Sequence, residues 1–262
     1  MEEERTATRL HNKFLDLKIN DCIQGFRENH KNEYKVIFDF LQFMGSLKDN
    51  FIGKDASQRD IFLLSSIIEL NRLFQSAVLL FERGLPESAN IIIRTILELS
   101  LNIVETIKNE NYIQEIIFSE IKEARSTVNI AKEFNRLDLI PLEKIQEIEE
   151  TYNLLVKSDY NKKSVKDLAQ KNGFEVEYLL YRTYSGNTHT SASTLAKNFN
   201  ITPLGIIFDA DIQVNDFKYG LRRLLSIVII SLPTLIDDYF DDGDLKNKYN
   251  LICDDFERVF NN

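Results

Sequence analysis

The chain contains 262 residues, of which 44% are hydrophobic, and its net charge is −9 at neutral pH. A chain of this length buries a core without help from metals, and its two cysteines exclude a disulfide framework and a cysteine-based metal site. The acidic balance argues against a broad basic surface that coats nucleic acid, so only a local basic cleft is compatible with it.

Only nine glycines and four prolines interrupt the chain, which predicts an all-α protein. Apolar residues at three- and four-residue steps predict a first helix over residues 10–47, broken at most once, with Gly25 as its weak point. A second helix is predicted over residues 58–83, with Asp55 and Ser57 as its caps.

The turn "GLPES" separates the second helix from a third, which is predicted over residues 87–109 with Pro86 at its first position. Ser164 and Gly173 mark the two ends of a short helix, and Pro233 predicts a kink in a long apolar helix. Residues 200–213 show no helical pattern and are expected to form an extended loop over the core. The other predicted helices, including the kinked one, cover residues 111–136, 141–156, 175–199, 214–240 and 245–260.

No internal repeat, low-complexity linker or change in composition divides the chain, which predicts a single domain over residues 1–262. Its core, at about residues 57–200, is expected to be a bundle of the second, third, fourth and 175–199 helices. A helical extension over residues 1–47 and C-terminal helices over residues 213–260 are expected to pack around this core.

Two apolar stretches require comparison with membrane spans. Residues 61–81 would place Glu69 and Arg72 at the bilayer centre, and the uncharged stretch 224–236 has only thirteen residues, too few to cross. The acidic and then polar N-terminus lacks the basic and apolar regions of a signal peptide. We therefore expect a cytoplasmic protein with no membrane-spanning segment.

A polar stripe runs along the otherwise apolar third helix. At 100° per residue, five side chains share a narrow arc: Glu87, Asn90, Arg94, Glu98 and Glu105. So wide an apolar arc predicts a central helix, whose stripe faces either a slit of solvent or an internal polar site. An Arg and a Glu four residues apart are also an ordinary helix-stabilising pair, so both interpretations stay open at Arg94 and Glu98.

The stretch "YRTYSGNTH", residues 181–189, gathers groups that are suited to phosphate chemistry. His189 follows Arg182 by seven residues, which on a continuous helix places both on one face, two turns apart and close to Ser185. A histidine moves a proton near neutral pH, and an Arg guanidinium holds a phosphate. Together they suffice to cut RNA without a metal. The alternative is a hydrogen-bonded core histidine whose hydroxyl neighbours cap a helix.

No other motif indicates a cofactor. His11 and His30 lack the spacing of a metal pair, and no Gly-rich loop follows a strand. The stretch "DDYFDDGD" (237–244) is similar to the magnesium motif of all-helical isoprenoid synthases, but no second acidic motif precedes it. Neither a metal nor a cofactor is therefore predicted.

Two segments resemble a bacterial all-helical family, the domain of unknown function 5677. The segment "ESANIIIRTILELSLNIV" (87–104) carries the Arg-x3-Glu pattern of that family as Arg94 and Glu98. The segment "YRTYSGNTH" carries its Tyr-x2-(apolar)-Ser-x3-His pattern, and the matching residues are Tyr181, Tyr184, Ser185 and His189. The resemblance covers roughly residues 60–200.

The spacing from Arg182 to His189 also resembles the Arg-x4–6-His signature of the HEPN superfamily, helical bundles that include RNA-cutting toxins and phage-defence nucleases. That resemblance implies a HEPN-like core and a metal-independent endoribonuclease that acts on RNA. It implies a homodimer whose facing motifs form one active site. A partner protein from the same toxin or defence system is also expected.

On this interpretation each candidate residue has a role. His189 is the acid or base and Arg182 holds the phosphate, while Ser185 and Tyr184 donate hydrogen bonds. The substrate-binding residues that line the same pocket are Arg94, Glu98 and Tyr181. The alternative from another class is a non-catalytic interaction or regulatory module, in which Arg94, Glu98 and His189 form a buried structural network.

Overall fold

A computed structural model describes residues 19–51, 56–158, 160–185, 199–202, 205–208 and 216–260. Helices dominate this part of the chain, which confirms the predicted all-α class. The α-helices are α1 (Ile19–Asn29), α2 (Lys31–Asp49), α3 (Gln58–Glu82), α4 (Pro86–Lys108), α5 (Tyr112–Glu133), α6 (Leu142–Leu155), α7 (Val165–Asn172), α8 (Glu175–Ser185), α9 (Asp216–Pro233) and α10 (Gly243–Phe260). The other elements are a 3-10 turn (Leu137–Leu139), strands β1 (Phe199–Thr202) and β2 (Gly205–Phe208), and a π-helical segment (Thr234–Phe240).

Local sequence signals set the ends of several helices. Ser57 begins α3 with a capping box, in which its hydroxyl accepts from the backbone N–H of Asp60 and the Asp60 carboxylate accepts from the Ser57 N–H. Ser164 begins α7 in the same way, and Gly173 ends it with a φ of 78°, where glycine is favoured. Pro86 lies in the first turn of α4. These local predictions are confirmed.

Helix α4 lies at the centre of the bundle, as its wide apolar arc predicts. It packs against α3, α7, α8, α9 and the π-helical segment, and less extensively against α5. Ile93, Ile96 and Val104 of α4 are fully buried, as are Phe74 of α3 and Leu224 of α9. Burial of such a side chain contributes about 1.5–3 kcal/mol to folding. The main hydrophobic core is therefore built around α4.

The helices around α4 differ from the predicted set. Helix α9 packs against both α3 and α4, so the C-terminal region is part of the core rather than a layer outside it. Helix α5 packs mainly against α6. Arg125 of α5 bonds to Glu149 of α6, and the ring of Phe118 stacks on that of Tyr152, which makes the two helices an antiparallel hairpin. This α5–α6 hairpin lies beside the bundle.

The structure differs from the prediction in the first helix and at residues 200–213, and agrees with it at Pro233. The first helix breaks at His30, whose φ of −117° and ψ of 35° are not helical, and not at Gly25, which lies inside α1. A helical glycine costs only about 1 kcal/mol, so Gly25 does not force a break. Strands β1 and β2 form an antiparallel hairpin in place of the expected extended loop. The helix does change at Pro233, where the π-helical segment begins.

Within the described part of the chain, two helical stretches are long and apolar enough to cross a membrane by length and composition, Gln58–Glu82 and Lys218–Phe240. The second corrects the expectation for residues 224–236, because the helix continues past that uncharged stretch on both sides. On α3, Glu69 and Arg72 are exposed, while the helix packs with its other side against α4. Core helices of soluble proteins have the same length and composition, so these two helices are weak evidence for a membrane protein.

Candidate functional site

The polar stripe of α4 places Arg94 and Glu98 one helical turn apart. Their side chains form an ion pair, with Nη2 of Arg94 3.1 Å from Oε1 of Glu98. Both side chains are partly exposed, by 28% and 33%, so the pair lies at the edge of the bundle and not in its core. An isolated exposed pair at this spacing stabilises a helix by only about 0.3–0.5 kcal/mol.

Helix α8 brings Tyr181 to this pair. The Tyr181 hydroxyl accepts a hydrogen bond from Nη2 of Arg94 at 2.5 Å and donates one to Oε1 of Glu98 at 2.6 Å. The Arg94 guanidinium lies over the Tyr181 ring, 4.5 Å from its centroid, in a cation–π contact. Tyr181 is buried, and its ring stacks on that of Tyr178. The three predicted substrate-binding residues therefore meet, and we call Arg94, Glu98 and Tyr181 the α4–α8 cluster.

The phenol of Tyr181 is neutral near pH 7, and its surroundings in the α4–α8 cluster disfavour its ionisation further. Burial, and after it the hydrogen bond to the Glu98 carboxylate, raise the pKa of Tyr181 above its usual value. Arg94 opposes this shift and only partly offsets it. Because the phenol keeps its hydrogen, it donates to Glu98 and accepts from Arg94, which fixes the direction of both hydrogen bonds.

The other predicted site residues belong to the last turns of α8 and the segment that follows. Arg182 is exposed on α8, one residue after Tyr181. Tyr184 and Ser185 end this helix, but their side chains, and the whole of His189, lie outside the described residues. Whether Arg182 and His189 lie on one face therefore stays a prediction.

Glu105 departs from the stripe and belongs to a second cluster. Its side chain is fully buried, and its Oε1 accepts from Nζ of Lys171 at 2.6 Å and from Nζ of Lys163 at 3.2 Å. Burial would raise the pKa of Glu105, but the two lysines outweigh burial and lower it, and the carboxylate in turn raises the pKa of Lys171. No local sequence pattern indicates this cluster, because Lys171 and Lys163 follow Glu105 by 66 and 58 residues.

The polar face of α3 is turned to solvent. Glu69 and Arg72 are at least half exposed and 3.8 Å apart, and Gln75 donates to Asn71 on the same helix. These are the contacts of an ordinary solvated helix face. Among the described residues, this face of α3 therefore makes contacts within its own helix, whereas the stripe of α4 forms a site with α8.

The α4–α8 cluster presents one guanidinium, whose charge the Glu98 carboxylate balances. Arg94 offers a partly exposed guanidinium, whose N–H groups match the oxygens of a phosphate or a carboxylate. Glu98 and Tyr181 hold this guanidinium in one orientation. Arg182 adds an exposed cation on α8. Among the side chains that the structure describes, no group of three His, Cys, Asp or Glu residues could hold a metal ion.

A family model matches most of the bundle. The match is to the Family of unknown function (DUF5677) and covers residues 60–203, more than half of the chain. This range contains α4 and α8, and with them the α4–α8 cluster. No curated protein and no solved structure matches the chain. With its Arg94–Glu98 pair on α4 and its Tyr181 motif on α8, the chain belongs to the DUF5677 family.

Proposed function

We propose that this protein is a HEPN-like, metal-independent endoribonuclease, or an RNA-targeting effector, that works in toxin or phage-defence biology. The observation that supports the proposal is the α4–α8 cluster. It fixes the buried side of α8 to the central helix and leaves Arg182 exposed, seven residues before His189. A guanidinium and an imidazole that meet in one site suffice for attack of the ribose 2′-hydroxyl on its phosphate without a metal.

The proposed reaction begins with attack of the ribose 2′-oxygen on the adjacent phosphorus. His189 takes the proton of the 2′-hydroxyl, and Arg182 stabilises the charge that develops on the phosphoryl oxygens. The bond to the 5′-oxygen then breaks, and this oxygen receives the proton that His189 took from the 2′-hydroxyl, which returns the imidazole to its starting form. The products are a 2′,3′-cyclic phosphate and a 5′-hydroxyl. Ser185 and Tyr184 donate hydrogen bonds to the phosphate.

The α4–α8 cluster supplies the substrate-binding side of the proposed pocket. The Arg94 guanidinium contacts a second phosphate of the same RNA strand, while Glu98 and Tyr181 keep it in place. In this proposal the active form is a cytoplasmic homodimer whose two motifs face each other across one RNA. A partner protein of the same system controls the activity.

A non-catalytic interaction or regulatory module is the second candidate, and one observation favours it. The Tyr181 hydroxyl has partners on both sides, Arg94 and Glu98, as in a structural hydrogen-bond network. The exposure of Arg182 and the partial exposure of Arg94 favour the enzyme, because a phosphate can reach both from solvent.

The experiment that separates the two candidates is an RNA cleavage assay. Purified protein is incubated with total RNA in EDTA, and the new ends are analysed. The enzyme should cut the RNA and leave 2′,3′-cyclic phosphates, and His189→Ala should abolish cutting with a nearly unchanged melting temperature. Intact RNA, or a His189→Ala protein that unfolds, would support the module.

Arg182→Ala tests the phosphate holder, with Arg136→Ala as its matched control. Both arginines are exposed, but Arg136 lies in the turn of the α5–α6 hairpin. Arg182→Ala should lower the cleavage rate at least about a hundredfold, as expected for loss of transition-state charge stabilisation, while Arg136→Ala should retain it. An equal loss in both variants would mean that surface charge in general, and not this site, carries the activity.

A further inference from the structure

The outer end of the α5–α6 hairpin has little contact with the rest of the bundle. Both helices are described without a gap, and beyond Phe118 their only buried side chains are Val128 and Ile148. Phe134 follows Phe118 by sixteen residues, which corresponds to about 24 Å of helix. The 3-10 turn that comes next packs against α5. We call residues 130–144, at this outer end, the hairpin tip.

Five large apolar side chains are open to solvent at the hairpin tip. They are Ile130, Phe134, Leu137, Leu139 and Leu142. Their exposed fractions range from 38% at Leu137 to 72% at Phe134. Because they lie within thirteen residues that form a helix end, a tight turn and a helix start, they share one end of the hairpin. Together they offer about 500 Å² of apolar surface, which is typical of an interaction site on a monomer.

The charges of the hairpin tip cancel, although the whole chain has a net charge of −9. Three cations and three carboxylates lie among its residues: Lys132, Glu133, Arg136, Asp138, Glu143 and Lys144. Nε of Arg136 lies 3.3 Å from Oδ1 of Asp138, so this pair is neutral by itself. Two copies of an acidic chain repel each other at long range. Because the hairpin tip is neutral, a contact between two tips does not add to that repulsion.

The order of the other four charges makes the hairpin tip complementary to itself. Helix α5 ends with Lys132 and Glu133, whereas the first turn of α6 carries Glu143 and Lys144, in the reverse order of sign. Carboxylates of α6 lie 4.0 and 2.7 Å from Nζ of Lys132 and Lys144, and such exposed pairs are weak. In a contact about a two-fold axis, each residue meets a different residue of the partner. The end of α5 can therefore lie beside the start of α6 of a second copy, where each cation meets a carboxylate.

We propose that the hairpin tip binds the hairpin tip of a second copy of this chain, about a two-fold axis. Phe134 and Leu142 form the apolar centre of the contact, and the exchanged Lys–Glu pairs surround it. The apolar surface and this charged rim together come close to the area that each partner contributes to a standard interface, about 800 Å². This contact is separate from the facing α8 motifs of the proposed nuclease, so it does not depend on the ribonuclease activity.

A lipid surface fits the hairpin tip less well. A single acyl chain gives only marginal membrane binding unless a basic patch supports it. The hairpin tip has no surplus of cations, so anionic lipid headgroups would add no attraction. The same neutrality makes the tip a poor site for RNA, whose phosphates bind through cationic side chains.

The mass of the protein in solution tests the proposal. It is measured by sedimentation equilibrium without RNA, at chain concentrations up to about 100 µM. Phe134→Asp and Leu142→Asp should each halve the mass of the wild-type assembly, because an aspartate at the centre of the contact would be buried without a partner. Leu154→Asp is the matched control and should leave the mass unchanged, since Leu154 is a similarly exposed leucine at the other end of α6.

A charge swap tests the self-complementary pairing. One variant carries Lys132→Glu and Lys144→Glu, and the other carries Glu133→Lys and Glu143→Lys. Each substitution changes the charge by two, so the hairpin tip becomes −4 in the first variant and +4 in the second. Each variant alone should have half the mass of the wild-type assembly, whereas an equimolar mixture should regain the full mass. All four side chains are exposed, and circular dichroism checks that every variant folds.

Several outcomes would overturn the proposal. One is that the wild type and Phe134→Asp have the same mass, and another is that Leu154→Asp halves the mass as well. A mixture of the two charge variants that stays at the lower mass would contradict the two-fold pairing. Co-sedimentation of the wild type, but not of Phe134→Asp, with vesicles of phosphatidylcholine and phosphatidylserine would assign the hairpin tip to a lipid surface.

Discussion

The phenol of Tyr181 on α8 donates a hydrogen bond to the carboxylate of Glu98 on α4 at 2.6 Å, across 83 residues of sequence. Arg94 donates to the same hydroxyl, so one oxygen atom joins both members of the α4 ion pair. This contact attaches α8 to the most buried helix of the bundle. The orientation of α8, and with it the position of Arg182, therefore depends on Tyr181.

Replacement of Tyr181 by Phe removes this hydroxyl and leaves the ring in place. We expect the free energy of unfolding to fall by about 1–2 kcal/mol, because Arg94 and Glu98 each lose a partner at a half-buried site. Urea denaturation measures the change. Tyr219→Phe is the control, since this exposed tyrosine accepts a hydrogen bond from Arg223 on its own helix, and its effect should stay below about 0.5 kcal/mol. Equal effects would contradict the special role of Tyr181.

Replacement of Glu105 by Ala should destabilise the protein more strongly than loss of any surface carboxylate. The fully buried carboxylate holds α7 to α4 through Lys171 of α7 and through Lys163, which lies just before that helix. We expect a loss of about 2–3 kcal/mol, less than for a fully buried pair because both lysines are partly exposed and can turn to water. Glu147→Ala, which removes an exposed partner of Lys144, should change stability by at most about 0.5 kcal/mol.

The contribution of Glu105 should depend on pH in a defined direction. Its pKa is lower in the folded protein than the usual 4.5, so on acidification the unfolded chain takes up the proton first. The stabilisation is therefore complete above about pH 4.5 and is lost as the pH falls through the folded value. Wild type and Glu105→Gln, compared by urea denaturation from pH 7 to pH 3, should differ by a constant amount at first and by less below about pH 4.5. A difference that grows on acidification would contradict this account.

The contribution of Lys171 to stability should depend on pH in the opposite direction. The pKa of Lys171 is raised above its usual 10.5, so its stabilising contribution is complete below that value and is lost as the pH rises through the folded value. Wild type and Lys171→Met should therefore differ by a constant amount near neutral pH and converge above about pH 10.5.

Replacement by alanine should lower the stability of the protein at Gly220 and raise it at Gly45. A Cβ on Gly220 would lie 2.3 Å from the ring of Phe81, so Gly220→Ala should separate α9 from α3 and cost about 1–3 kcal/mol. Nothing lies within 4 Å of a Cβ on Gly45, which is inside α2, so Gly45→Ala should stabilise the protein by about 0.4–1 kcal/mol. Thermal unfolding of both variants checks the pair. Destabilisation by Gly45→Ala would show that α2 packs more tightly than this structure indicates.

Several elements of the fold could be predicted from neighbouring residues. Ser57 and Ser164 begin helices and Gly173 ends one, because a cap needs only residues within one turn of it. One break in the first helix was allowed for, but its position at His30 was not predicted, since the apolar periodicity continues through His30 and the local sequence has no helix breaker there. The packing of α9 against α3 and α4 was not predicted either. Gly220 of α9 gives no sign in the sequence that the ring of Phe81 on α3 approaches it.

By itself, the sequence determined the all-α class, the central position of α4 and the ion pair between Arg94 and Glu98, since all of these follow from composition and from spacings of three or four residues. Only the tertiary structure decided that Tyr181 completes this pair and that Glu105 is held by two lysines. The physical reason is the distance along the chain. Contacts across 58 to 87 residues depend on how whole helices pack, and no local periodicity encodes that packing.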